Sequence, residues 1–253
     1  MRNVIVHYHL FKNAGSSVDH ILHSTFGEKW VNYDPGDPPH LVSGQMLADY
    51  LDDNPQLDAL SSHMLVPPLP ATNIGLHPII FLREPITRVM SAYLFEWQKQ
   101  KQLDKPSGSL TEYIESKFDK PRTNAIENFQ CLRLCNDDPN RIKATLKTDE
   151  ELLQTAMNFI SSLPAFGLVH RFDDSMDLFQ SVYGRYFSDL KFESVTKNST
   201  QNIDLNFQER IDHIEAQIGK KLFDELVLRN QLDIKLFQYA CGLFDAYAIP
   251  KAA

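Results

Sequence analysis

The sequence predicts an α/β fold in three layers, a central parallel sheet flanked by helices, with a helix-rich C-terminal half. Three observations predict it. Two short runs, Val4-Ile5-Val6 and Ile79-Ile80-Phe81-Leu82, have the unbroken hydrophobicity of strands covered on both faces. Each passes through a tight polar turn directly into a helical pattern, which is the signature of strands alternating with helices. From Asn206 to Tyr247 the apolar residues recur at helical spacing, interrupted near Gly219.

Taken in order, Val4 to Leu10 reads as a buried strand, and Val18, Ile21 and Leu22 mark the apolar face of the helix after it. Three prolines and a glycine between Tyr33 and His40 mark a loop. Ser43 to Asp53 reads as a short amphipathic helix, and Leu57 to Leu65 holds a strand ending near His63. Pro67, Pro68 and Pro70 then break the chain. His77 to Leu82 is the second clear strand, and Pro85 suits the first turn of a helix reaching about Gln100. Ser109 with Glu112, and Thr148 with Glu151, fit the capping box that starts a helix. Ala165 to Val169 reads as a third strand. A chain of 253 residues, 43% hydrophobic and 23% charged, is expected to form one domain over residues 1–253 that buries its own core.

The net charge of -8 argues against duplex nucleic acid and densely sulfated polysaccharide as partners. No run approaches the roughly 20 apolar residues of a membrane span, and the N-terminus does not read as a signal peptide. Three cysteines, Cys131, Cys135 and Cys241, form no disulfide framework and read as core thiols. A cytoplasmic protein is expected, with no membrane partner.

In such a sheet, ligands bind at the carboxyl ends of the strands. The first strand delivers Lys12-Asn13-Ala14-Gly15-Ser16-Ser17 to a helix N-terminus, where unpaired N–H groups and the helix dipole favour an anion. Gly15 lets the backbone approach closely, the serines add hydroxyls and Lys12 adds a full charge. The spacing also fits an ordinary turn with a capping serine. It does not fit the nucleotide-triphosphatase loop, because there is no leading glycine and Lys12 precedes Gly15. The second strand delivers Arg83, followed by Ser91 two turns into the next helix. An arginine fork and a hydroxyl suit one phosphate, although Arg83 paired with Glu84 is an equal reading. A cation there, where a kinase needs a metal-binding carboxylate, disfavours magnesium chemistry.

Together, His9-Leu-Phe-Lys12-Asn-Ala-Gly15-Ser-Ser17 and Arg83-Glu-Pro-x-x-Arg88-x-x-Ser91-x-Tyr93 resemble the two phosphate motifs of the sulfotransferase superfamily. The resemblance is to the branch holding carbohydrate 2-O-sulfotransferases and related bacterial enzymes, which have a P-loop-like fold. Glu127-Asn128-Phe-Gln130, Phe166 to Phe172 and Leu232 to Phe237 are weaker echoes. Phe11 and Asn13 depart from the usual proline and threonine of the first motif. The resemblance implies 3'-phosphoadenosine 5'-phosphosulfate as co-substrate, without a metal. It places the 5'-phosphosulfate on Lys12, Asn13, Ala14, Gly15, Ser16 and Ser17, and the 3'-phosphate on Arg83 and Ser91. Lys197, in a loop that closes over the nucleotide in relatives, is a further candidate. Lys12 would also neutralise charge on the leaving phosphate.

The acceptor implied is a carbohydrate or small-molecule hydroxyl, or an amine. Its general base is assigned to His63, because Ser62-His63 stands where the family carries a Gly-His pair. His170 and then Glu96 are reserves. His7 and His9 read as satisfied structural groups, and His20, His23, His40, His77 and His213 as surface or loop residues. Arg88 reads as a brace to Glu84, and Trp30 and Trp97 as core. An ATP-dependent kinase on the same sheet and a non-catalytic nucleotide-binding relative are the rival readings.

Overall fold

The computed structural model describes residues 1–119, 125–135, 147–188, 190 and 206–248. Five parallel strands form one sheet in the order β2-β3-β1-β4-β5. They are β1 (Asn3–Tyr8), β2 (Trp30–Asn32), β3 (Ala59–Ser62), β4 (Gly75–Leu82) and β5 (Gly167–Leu168). The register pairs His7 with Ser61 on one side and with Ile79 on the other. The carboxyl ends of β3, β1 and β4 therefore lie side by side. These are the ends that carry His63, the Lys12 loop and Arg83.

Alternation along the strands builds the three layers. Val4, Val6 and Tyr8 of β1, with Ile80 and Leu82 of β4, pack on one side against α2 (Gly44–Asp53), α6 (Asp149–Ser162) and α10 (Gln231–Ala248). Ile5, Ile79 and Phe81 point the other way, into a core with Val18, Ile21 and Leu22 of α1 (Gly15–Phe26) and Met176, Phe179 and Tyr183 of α7 (Phe172–Tyr183). Each fully buried aliphatic or aromatic side chain contributes roughly 1.5–3 kcal/mol, so both faces are driven closed. The same alternation turns His7 and His9 toward α1. A third cluster, around Val89, Tyr93, Tyr113, Ile214 and Leu226, joins α3 (Pro85–Leu94), α4 (Leu110–Phe118), α8 (Phe207–Ile218) and α9 (Lys220–Arg229). The short α5 (Phe129–Leu134) lies against α6 and α10.

The helix starts follow their side chains. Ser43 caps α2, and both expected capping boxes form, Ser109 with Glu112 and Thr148 with Glu151. Asn206 and Glu209 make a third at the start of α8. Gly219, at φ 79°, ends α8 as expected. A second break at Asn230 has no glycine or proline; its buried amide instead donates to Leu226 O (3.0 Å) and Ile126 O (2.8 Å).

Three boundaries differ from expectation. β1 stops at Tyr8, because the N–H of Leu10 turns back to Tyr8 O. The third strand shrinks to Gly167–Leu168. Trp30–Asn32, where no strand is read from the sequence, is an edge strand paired to β3. Among the described residues, no helix is long and apolar enough to cross a membrane.

Candidate active site

The loop after β1 is held in an unusual shape. Lys12 and Ala14 both have φ 64°, the left-handed region that non-glycine residues adopt at a cost. Ala14 takes the N-cap position of α1 without a side-chain hydrogen bond. Among the described residues, the N–H groups of Ala14, Gly15 and Ser16 donate to no protein acceptor, whereas the N–H of Asn13 is used by Leu10 O at 3.1 Å. Consecutive free N–H groups in such a turn, at a helix start, make an anion-binding concavity.

Cations surround this concavity. The Arg83 guanidinium donates to Lys12 O at 3.0 Å. Burial, then the charges of Arg83 and Lys99, push Lys12 down to about 8. Burial and the nearby Arg88 push Arg83 down to about 10. The Lys12 ammonium lies 4.5 Å from the centre of the Phe95 ring. Phe95 begins a wide helical turn, Phe95–Lys99, that continues α3, and such turns recur at functional sites. Like charges converging on one loop, with the Glu84 carboxylate turned to the cap of α3, are what a phosphate site requires.

Arg83 does not pair with Glu84. The Glu84 carboxylate caps α3, accepting the N–H groups of Ile86 (2.9 Å) and Thr87 (2.6 Å). That leaves the Arg83 guanidinium on the side of the Lys12 loop. Ser91 is buried on α3, and its hydroxyl makes no hydrogen bond among the described residues. Arg88 is a brace, but not to the Glu84 carboxylate: it is wholly buried and donates to Ala125 O at 2.7 Å beside the Phe129 ring.

His63, at the end of β3, is held from two sides by Asp34. Its backbone N–H and its ring Nδ1 each lie 2.8 Å from a different Asp34 oxygen, and the Ser62 hydroxyl donates to Asp34 at 3.0 Å. Burial raises the Asp34 carboxyl, but the hydrogen bonds from His63 and Ser62 outweigh it and hold the group below its ordinary value. An ionised carboxylate on Nδ1 fixes the tautomer whose Nε2 is the free base. The His63 side chain is 41% exposed, and its Nε2 makes no hydrogen bond among the described residues.

His63 also stacks on His9, with ring centres 3.8 Å apart, and His9 stacks on His7 at 5.3 Å. Asp19 of α1 serves the inner two, 2.9 Å from His7 and 2.7 Å from His9. Burial pushes His7 down to about 4, which keeps it neutral near pH 7. Burial raises Asp19, but its hydrogen bonds to the two imidazoles outweigh this and hold it well below the carboxylate range. His7, His9 and Asp19 bring three ligand atoms within 4.8 Å of one another, a set able to hold a cation.

The His9 ring accounts for Gly15. A Cβ on Gly15 would lie 2.0 Å from His9 Cδ2 and 2.2 Å from Nε2. The glycine is needed to admit an imidazole, before any question of an approaching anion.

The remaining candidates are engaged by other partners. His170 packs against the stacked rings of Phe207 and Phe237. Glu96 is engaged by Lys117 and by the Tyr113 hydroxyl. His77, expected on the surface, is buried on β4 against Tyr183, Tyr186 and Phe187. Trp30 donates to Ser61 Oγ at 3.0 Å, and Trp97 packs on Tyr113. Lys197 lies outside the described residues. Asp34, Asp19, Phe95 and Lys99 were not legible as site residues, since only the fold brings them to the sheet edge.

A model of the sulfotransferase family matches residues 2–240. An uncharacterized protein of the archaeon Archaeoglobus fulgidus is 28% identical over 254 aligned residues, which cover 96% of this chain and 98% of the relative.

Proposed function

The chain belongs to the sulfotransferase family, and we propose that it takes the sulfuryl group from 3'-phosphoadenosine 5'-phosphosulfate and passes it to a hydroxyl, or an amine, of a carbohydrate or small-molecule acceptor. The observation that carries this reading is the convergence of Lys12, Arg83 and Lys99 on a loop with three N–H groups that find no acceptor among the described residues. It occurs in a chain whose net charge is -8.

In this reading the N–H groups of Ala14, Gly15 and Ser16, the hydroxyls of Ser16 and Ser17, and Lys12 hold the 5'-phosphosulfate. Asn13 contributes by holding the loop in place, since its N–H is used by Leu10 O and its side-chain amide by Phe81 O and Gln130. Arg83 and Ser91 take the 3'-phosphate, and Lys197 is a further contact to the donor. His63 Nε2 accepts the acceptor's proton as its oxygen forms a bond to sulfur. The bond from sulfur to the phosphate oxygen breaks, that oxygen keeps the electron pair, and Lys12 neutralises it. A positioned base contributes about 10²–10⁴ to such a step, and an electrostatic contact to the leaving group about 10²–10³. No metal is required by this scheme. A neutral or cationic acceptor suits the acidic chain better than a densely sulfated glycan.

A thermal-shift titration with 3'-phosphoadenosine 5'-phosphate, beside ATP with Mg²⁺, tests the reading. At 100 times its dissociation constant the bisphosphate adds about 2.7 kcal/mol, which is roughly 5–10 °C for a chain of this size. The shift should appear without metal and vanish in Arg83→Ala. Stabilisation by ATP with Mg²⁺ alone would replace this reading with a kinase.

A further inference from the structure

Gln130 lies in the first turn of α5, far in sequence from both anion segments, and is 1% exposed. Every position of its amide is engaged. Its oxygen accepts the N–H of Arg83 at 2.9 Å and the Asn13 side-chain amide at 2.7 Å. Its nitrogen donates to Arg83 O at 2.8 Å, with a longer contact of 3.4 Å to Asp233. Gln130 thus grips the Arg83 backbone at both its N–H and its carbonyl, as a neighbouring strand would. With its remaining lone pair it holds the Lys12 loop.

The surrounding bonds tighten the clamp. Asn13 also donates to Phe81 O at 2.8 Å, tying the loop to the end of β4. Asp233, wholly buried on α10, accepts the N–H groups of Gln130 (3.1 Å) and Cys131 (2.7 Å). Asn128 returns the favour, accepting the N–H groups of Leu232 (2.9 Å) and Asp233 (3.2 Å). Gln130 is therefore itself immobilised, by two elements that belong to neither anion segment.

We propose that Gln130 is a positioning residue that sets the separation of the two phosphate-binding segments, and thereby the preference for a nucleotide phosphorylated at both its 3' and 5' positions over one with a 5'-phosphate alone. The inference rests on the donor reading given above. A ligand with one phosphate needs only the Lys12 loop, and tolerates a loose Arg83. A bisphosphate spans both segments and needs Arg83 at a fixed distance. A side chain that merely satisfied buried polar groups would, when removed, lower stability and weaken both ligands alike.

Calorimetric titration of wild type, Gln130→Met, Gln130→Glu and Asn13→Ala with 3'-phosphoadenosine 5'-phosphate and with adenosine 5'-phosphate separates these roles. Methionine keeps the length and apolar stem but makes none of the bonds. Misplacing one charge-assisted contact is expected to weaken the bisphosphate about 10–100-fold, with the monophosphate changed less than about threefold. Asn13→Ala leaves the grip on Arg83 whole and loosens only the loop that both ligands use, so the two affinities are expected to fall together. Gln130→Glu, which keeps an acceptor for the Arg83 N–H and for Asn13 but loses the donor to Arg83 O, carries the test if Gln130→Met does not fold, with a smaller selective loss of the bisphosphate expected. An unchanged ratio of the two affinities in the folded Gln130 variants, even with a lowered Tm, overturns the inference. A wild type that binds neither nucleotide overturns the donor reading and the inference with it.

Discussion

Replacing Gly15 by alanine is a small change with a calculable consequence. The new Cβ would stand 2.0 Å from His9 Cδ2, where ordinary contact needs at least 3.4 Å, so one of the two must yield by well over an ångström. Gly15 is fixed as the first residue of α1, and its backbone is not in the left-handed region, so the helix itself accepts alanine. His9 has nowhere to go without loss. It is held 2.7 Å from Asp19 on one side and 3.8 Å from the His63 ring on the other. Overpacking of this kind costs about 1–3 kcal/mol. For a chain of this length that corresponds to a Tm lower by roughly 2–12 °C. The double variant Gly15→Ala with His9→Ala removes the colliding ring, so a thermal-melt cycle should show the two losses to be strongly non-additive. Additive losses would refute the argument. Gly15 would then be required for the approach of an anion to the backbone, and bisphosphate affinity rather than stability would register the change.

The other predictions concern the chemistry. His63→Ala should lower kcat by about 10²–10⁴ while leaving bisphosphate affinity near wild type; an equal loss of affinity would place His63 in the donor site. Asp34→Asn should lower kcat in the same direction, since the Nδ1 tautomer is no longer enforced. The control is imidazole nitrogen NMR, which should show the His63 tautomer mixture shift. Lys12, pushed from 10.5 to about 8 by burial first and by Arg83 and Lys99 next, gives a pH dependence of known sign. Below about pH 8 it is charged and supports the dianion. Above that the free protein must take up a proton to bind, so affinity should fall by up to about tenfold per pH unit. Lys12→Met should bind weakly at every pH and show no such slope; the same slope in that variant would assign the titration to another group.

What the sequence disclosed and what it withheld divide along physical lines. Ile79 to Leu82 and Val4 to Val6 were legible because a strand covered on both faces must be apolar at every position. Ser109 and Thr148 were legible because a capping box is local chemistry, complete within four residues. The edge strand Trp30–Asn32 carries no such pattern, being three residues long and only partly covered. The break at Asn230 depends on a side-chain bond to Ile126 O, 104 positions away. The candidate site shows the same division. Lys12 and Arg83 stand at strand ends, where position and motif together commend them, and His63 is commended by the resemblance of Ser62-His63 to a family pair. Asp34, which orients His63 across 29 residues, sits in a proline-rich loop that reads only as a turn. His9 read as structural because its alternation with His7 was visible. Its stacking on His63 requires the register of β1 on β3, which no local pattern encodes.

The most direct test of the whole account is a crystal structure of the chain with 3'-phosphoadenosine 5'-phosphate. The account predicts the 5'-phosphate oxygens at about 3 Å from the N–H groups of Ala14, Gly15 and Ser16, with the 3'-phosphate on Arg83 and Ser91. It also predicts His63 Nε2 open toward the 5' side, with Gln130 still bonded to Arg83 and Asn13. A nucleotide whose phosphates lie away from the Lys12 loop, or reach Arg83 by breaking the Gln130 clamp, would contradict it.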